Sequence, residues 1–266
     1  KREGEHWYVV LSCEIEHTAT HTPSTDEAIG IDLGLLHFAT LSTGDTLENP
    51  RYYRGGEAKL QKAQEHVSRC KRGSHRRTKA RLQVAKCHRK VRNQRQDFLQ
   101  KQSRQLVNTY KTIVFEELAP SNMSKAPKPK QDENGMYLPN GASAKAGLNK
   151  SILDAGWATF VSMCKSKAEW AGSVQVLTVD PKYTSQVCSG CGQVRKKELS
   201  ERWHSCECGI ELDRDHNAAL NILTKGLQTL SGGIHPTLGR VWKPLHSMHG
   251  VYHCHFVVKH LHEWYN

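Results

Sequence analysis

The stretch CSGCGQVRKKELSERWHSCECGIELDRDHNAALNIL, Cys188–Leu223, decides how the rest of the chain is read. Cys188 and Cys191 form a CxxC knuckle, and Cys206 and Cys208 form a second, tighter pair. Four thiolates from two close pairs can surround one zinc ion tetrahedrally, whereas disulfides would need an oxidising compartment. Asp213-Arg214-Asp215-His216-Asn217 follows at once and opens a short apolar-patterned helix. Metal loop and acidic helix start lie too close together to be separate domains. The stretch reads as a metal-held ribbon that positions a carboxylate.

The chain around it has 266 residues, 37% of them hydrophobic, enough for one sizeable core or two small ones. Its formal net charge is +12, an excess that favours polyanionic partners. No apolar run is long enough to span a bilayer and no secretory signal stands at the N-terminus. Nucleic acid is therefore preferred over membrane, and a cytoplasmic setting is expected. Five further cysteines are scattered, an odd set that suits a reducing compartment.

Ala28–Gly34, AIGIDLG, has strand periodicity, with Gly30, Asp32 and Gly34 on one face. An acid between two residues without side chains leaves room for a metal and a phosphate backbone. Leu35–Ser42 continues as a second strand, Thr43-Gly44-Asp45 turns, and Thr46–Tyr53 reads as a third. From Glu57 to Tyr110 the pattern is helical, with a break at Lys71-Arg72-Gly73-Ser74. The second helix is strongly basic: Arg76, Arg77, Lys79, Arg81, Lys86, Arg89, Lys90, Arg92 and Arg95, then Lys101 and Arg104, against Asp97 alone. Charge of one sign on one helix reads as a phosphate-backbone track.

Thr112–Leu118, TIVFEEL, is the next strand, and periodicity lets only one of Glu116 and Glu117 face a given site. Ala119–Asn149 reads as a mobile loop, Ser151 as a helix start with Asp154 in a capping box, and Val174–Asp180 as a fifth strand. His6–Glu16 reads as a strand with no partner before it. After Gly226 the pattern dissolves into a tail containing His235, His246, His249, His253, Cys254, His255, His260 and His262. A meander followed by strand–helix alternation points to an α/β sheet covered on both faces. A right-handed crossover would then bring the fourth strand beside the first, and Glu116 near Asp32.

GIDLG at Gly30, FEEL at Phe115, the KYTSQVCSGCG run from Lys182 and the DRDHNAALNI run from Asp213 together resemble TnpB. These are the OrfB-type proteins of bacterial insertion sequences, RNA-guided nucleases related to type V CRISPR effectors. The resemblance runs in register from Trp7 to Gly226. It implies an RNase H-like (RuvC-type) mixed sheet flanked by helices, with an inserted zinc ribbon. It selects Asp32, Glu116 and Asp215 as the catalytic, metal-binding acids, with Asp213 left to cap its helix. Carboxylates and water suit magnesium or manganese, and zinc suits the thiolates of Cys188, Cys191, Cys206 and Cys208. Because Cys206-Glu207-Cys208 is one residue short of a CxxC knuckle, His204 is an alternative ligand. The segmentation implied is 1–20 as the last strand of a preceding domain, 21–187 as nuclease core, 188–209 as ribbon, 210–226 as last core helix and 227–266 as tail. The partners implied are a DNA target and a guide RNA in a bacterial or archaeal cell, near the nucleoid. Two other readings are a non-cleaving nucleic-acid-binding remnant or regulator and a guide-independent nuclease of the same fold.

Overall fold

The computed structural model describes residues 2–3, 6–7, 9, 11–14, 21–198, 200–231 and 251–254. Its centre is one five-stranded sheet: β1 (Ala28–Leu33), β2 (His37–Leu41), β3 (Thr46–Glu48), β4 (Thr112–Glu116) and β5 (Gln175–Val179). The strand order is β5-β4-β1-β2-β3. β1 pairs antiparallel with β2 and β2 with β3, whereas β4 runs parallel to β1 and β5 parallel to β4. Only β2 runs against the others. That order and those directions are those of an RNase H-like sheet, and they place β1 and β4 side by side at its middle.

The long elements are α1 (Tyr52–Arg69), α2 (His75–Thr109), α3 (Ala142–Ala155), α4 (Trp157–Ala171) and α5 (Arg214–Leu230). Ile31 and Phe115 point to one face of the sheet, where Phe160 of α4 meets Phe115 and Phe38 edge-on at 5.8 and 5.0 Å. Leu99, Leu106 and Val107 of α2 join that core, fully buried. The other face is closed by α5. A Cβ on Gly30 would lie 2.2 Å from the Ala219 carbonyl oxygen and 2.6 Å from the Leu223 nitrogen. At the other end of the contact, a Cβ on Gly226 would lie 2.5 Å from Val114 Cγ2. Gly30 therefore makes room for a helix backbone, not for a metal or a phosphate as its place beside Asp32 suggests.

Several expected boundaries differ. The third strand stops at Glu48 because Pro50 has no donor to continue the ladder, and Tyr52 and Tyr53 open α1 instead. Asp154 sits at the buried end of α3 and not at a helix start. Its Oδ2 accepts from the Tyr53 amide at 2.9 Å, capping α1 from a distant part of the sequence, and its Oδ1 accepts from Arg95 at 2.6 Å. Ala119–Asn149 is not a bare loop. It holds a helical turn (Pro120–Met123), a two-stranded hairpin (Lys130–Gln131 with Tyr137–Leu138) and most of α3. Gly156, at φ 72°, separates α3 from α4, and α5 runs past Gly226 to Leu230.

Chain contacts resolve two units, one of Ala19–Gly55 with Arg92–Gly239, which contains the sheet, and one of Lys1–Thr18, Gly56–Val91 and Arg240–Asn266. In the second unit the Gly56–Arg69 part of α1 and the His75–Val91 part of α2 form a helical hairpin. Ser74 caps α2 by accepting from the Arg77 amide, and Arg77 donates to the Val67 and Cys70 carbonyls at the end of α1. The N-terminal strand is split into His6–Trp7, paired with Arg2–Glu3, and Leu11–Glu14, paired with Val251–Cys254. Among the tail histidines, His235, His246, His249, His255, His260 and His262 lie outside the described residues. Among the described residues no helix is long and apolar enough to cross a membrane.

Replacing Gly30 with Ala is expected to destabilise by about 1–3 kcal/mol or more, since the added methyl meets backbone that cannot yield. Gly55→Ala in α1, where nothing lies within 4 Å, is expected to stabilise by about 0.5–1 kcal/mol. Thermal melts of the two variants check the contrast.

Candidate functional site

β1 carries Asp32 one residue before its end and β4 ends in Glu116, at the same end of the sheet. Their register pairs Gly30 with Val114 and Ile31 with Phe115, so one further step sets Asp32 level with Glu116. Both side chains point to the α5 face, because residues two apart share a face. The seating of α5 on Gly30 and Val114 brings its first turn over the same end, and with it Asp215. A Cβ at Gly34, just beyond β1, would lie 4.0 Å from Asp215 Oδ2. Asp213 is the N-cap, its Oδ1 accepting from the Asp215 and His216 amides at 2.8 and 3.4 Å. It fixes the turn that carries Asp215.

Three carboxylates are thus gathered at one end of the sheet, each half-buried and reachable from solvent. Burial raises the Asp32 pKa well above the usual carboxylate range, and the nearby charges of Glu116 and Asp215 raise it further, against Arg214. Burial also raises Glu116, opposed by a hydrogen bond from Thr184 and by the Lys225 ammonium. Asp215 is raised by burial and by Asp213, opposed by Arg202, Arg214 and His37. The three do not form a tight cage: among the described residues, only the four knuckle cysteines bring three or more ligand atoms within 4.8 Å of one another. Anionic oxygens that repel one another across an open gap fit hard divalent cations with water in the remaining positions.

The cysteine group fits a single soft metal ion. Cys188 Sγ lies 3.6 Å from Cys208 Sγ, and Cys191 Sγ lies 3.5 Å from Cys206 Sγ. Four ligands about 2.3 Å from one zinc would stand roughly 3.8 Å apart. Despite the opposing effect of burial, N–H groups of Cys191 and Gly190, with His204 and Cys208, bring the Cys188 thiol down to about 5. His204 lies outside the ligand group. Its Nδ1 meets the Lys197 ammonium. The imidazole is buried within the ribbon hairpin, β6 (Trp203–Ser205) against β7 (Glu211–Asp213).

The ribbon and α5 are tied by residues the motif reading passed over. Asn217, fully buried, accepts from the Ser189 amide and donates to the Val187 carbonyl. Asn221, one turn on, donates to the Thr184 and Val187 carbonyls. The Thr184 hydroxyl in turn lies 3.4 Å from Glu116 Oε2. Knuckle, helix and the strand of Glu116 therefore share one polar network. The signal was present in the sequence as two asparagines four apart on the buried side of an apolar helix.

The basic residues divide. Arg77 and Arg95 are engaged inside the fold, Arg77 at the end of α1 and Arg95 on Asp154. Lys86, Arg89 and Arg92 also have partners in the structure. Arg76, Lys79, Arg81 and Lys90 are exposed along α2.

Two outcomes are expected. Elemental analysis should find zinc in the parent and in His204→Ala but not in Cys208→Ser; zinc retained by Cys208→Ser would reject the four-thiolate centre. The second follows from the raised carboxyls. A group with a raised native pKa adds stability below its unfolded pKa, about 4 here, and loses it as pH climbs through the native value. In EDTA, Asp32→Asn should therefore melt level with the parent near pH 4 and increasingly above it toward neutrality. Magnesium or manganese should raise the melting temperature of the parent and not of the variant.

Two family descriptions match the chain: OrfB_IS605, Probable transposase, over residues 10–126, and the Cas12f1-like TNB domain over residues 157–222. Two curated relatives both carry the name "Putative RNA-guided DNA endonuclease". The one from Streptomyces pristinaespiralis is 40% identical over 85% of this chain and 52% of its own length. InsQ of Escherichia coli (strain K12) is 34% identical over 89% of this chain and 58% of its own. The chain therefore spans about half the length of the curated relatives it matches. A Cas12f1 in complex with sgRNA and target DNA aligns with a TM-score of 0.46 and 15% identity, covering 75% of this chain and 50% of that one, too loose to add to what the strand order shows. With one description taking in the strands of Asp32 and Glu116 and the other the ribbon and Asp215, the chain is similar to the OrfB-type, TnpB-like proteins over both parts of its site.

Proposed function

We propose that this chain is the nuclease core of an RNA-guided DNA endonuclease, in which Asp32, Glu116 and Asp215 hold divalent cations for phosphodiester hydrolysis. The observation that carries the reading is the meeting of the three carboxylates at one end of the sheet, with the proton affinity of each raised by burial and by neighbouring acids. Magnesium or manganese ions bound there would supply activation of a water and stabilisation of the leaving oxygen. The chain's own part is to fix the acids in place. β1 and β4 hold Asp32 and Glu116 level, Thr184 steadies Glu116, and the Asp213 cap holds Asp215 on the first turn of α5. Arg214 donates to the Glu198 and Glu201 carbonyls and keeps the ribbon strand close to the site. The exposed cations Arg76, Lys79, Arg81 and Lys90 provide a track for the phosphate backbone, whose neutralisation makes binding fall with salt. Zinc on the four cysteines keeps the ribbon folded, so that it can help load the DNA strand.

The test uses labelled DNA with magnesium, with and without RNA transcribed from the chain's own locus. Cleavage only with RNA is expected, and Asp32→Ala should abolish it while changing nucleic-acid affinity by no more than a few-fold. Cleavage that needs no RNA would make the chain a guide-independent nuclease. Binding without cleavage would make it a binding module or regulator. Equal cutting by Asp32→Ala and parent would remove the three acids from the chemistry.

A further inference from the structure

A second feature lies on the far side of the sheet from the acids. α4 presents Thr159, Ser162, Ser166, Lys167 and Trp170, at helical spacing, to an open groove of about 640 Å³ against Gln100 and Arg104 of α2. That volume falls within the range of ligand clefts, roughly 300–1,000 Å³. Phe160 on the inner side of α4 packs on Phe115, whose side chain points away from Glu116, so the sheet stands between this groove and the acids.

Among the described residues the groove is lined by two cations, Lys167 and Arg104, and by no carboxylate. Lys167 is held in place, donating to the Gln100 carbonyl at 2.7 Å and to the buried Ser103 hydroxyl at 2.6 Å. An ammonium has three donors, so one remains for a ligand. Arg104 is exposed and close enough that burial and its charge together bring Lys167 down to about 8. Two like charges facing one cleft without an acid between them are relieved by a bound anion. The hydroxyls of Thr159, Ser162 and Ser166 line the same wall and can donate to phosphate oxygens. Half-buried Trp170 is also in the lining and brings to it an aromatic ring, the kind of side chain on which bases stack.

We infer that the groove between α2 and α4 binds a phosphodiester that carries an unstacked base, as in a single-stranded segment of RNA or DNA. A strand held here is anchored at a distance from the cut. The inference rests on the chain's being a nucleic-acid protein, as proposed above, but not on the acids, and its test does not depend on cleavage.

The test measures binding of labelled oligo-uridine RNA and oligo-thymidine DNA by fluorescence anisotropy in the zinc-loaded Asp32→Asn protein at two salt concentrations. Arg104→Glu should weaken at least one ligand about tenfold. Arg104→Gln should weaken the same ligand less and lower its salt slope by about 0.7, as for one lost phosphate contact on a single strand. The arm that responds identifies the strand as RNA or DNA. Lys165→Glu, on α4 but outside the groove, should leave both within twofold. A photoreactive 4-thiouridine or 4-thiothymidine oligonucleotide should crosslink to the tryptic peptide spanning 168–182, which contains Trp170. Unchanged binding by Arg104→Glu and Arg104→Gln, an equal loss in Lys165→Glu, or crosslinks confined to other peptides would each overturn the inference. Circular dichroism melts confirm that the variants compared are folded.

Discussion

The contact on which the site depends is that of a helix backbone against a strand. α5 rides on β1 and β4 with no side chain between them at Gly30, and with Gly226 admitting Val114 at its other end. Packed layers are ordinarily held apart, by about 10 Å between stacked sheets, because side chains fill the space. Removing them at two points lets the helix sink, and this brings a first-turn acid down to the level of acids at the strand ends. Asp215 is placed by that descent, and its cap, Asp213, sets the angle at which the turn begins.

Such a site stores unfavourable electrostatics. Three partly buried carboxyls repel one another, and Lys225 and Arg214 offset this only in part, with their own hydrogen bonds spent on backbone carbonyls of the surrounding loops. Those cations hold the frame around the acids, and the acids remain available to ions. The ribbon enters the same frame through Asn217, Asn221 and Thr184. A metal ion bound at the knuckles would therefore steady the loop that touches Glu116, although the thiolates and the carboxylates are different residues with different ligand chemistry.

Much of this was legible in the sequence, for definite reasons. Period-two alternation and short connections fix the β1–β2–β3 meander, and the handedness of crossovers puts β4 beside β1. The cysteine spacing announces a metal loop. What escaped was decided by tertiary contact. Gly30 next to Asp32 reads as space for a ligand, since nothing local shows that a helix will come from nearly two hundred residues away to fill it. Asp154 resembles a local cap near Ser151, but it caps α1 instead. Arg77 and Arg95 look like members of a basic track until their carbonyl and carboxylate partners are known. α3 was hidden because its Ala-rich start follows a run of Pro, Gly and Lys.

The central claim is that Asp32, Glu116 and Asp215 share bound cations. Anomalous diffraction from crystals soaked in manganese tests it most directly. Peaks within coordination distance of carboxylate oxygens from all three residues are predicted. Manganese bound elsewhere, or acids too far apart for any ion to bridge two of them, would contradict it.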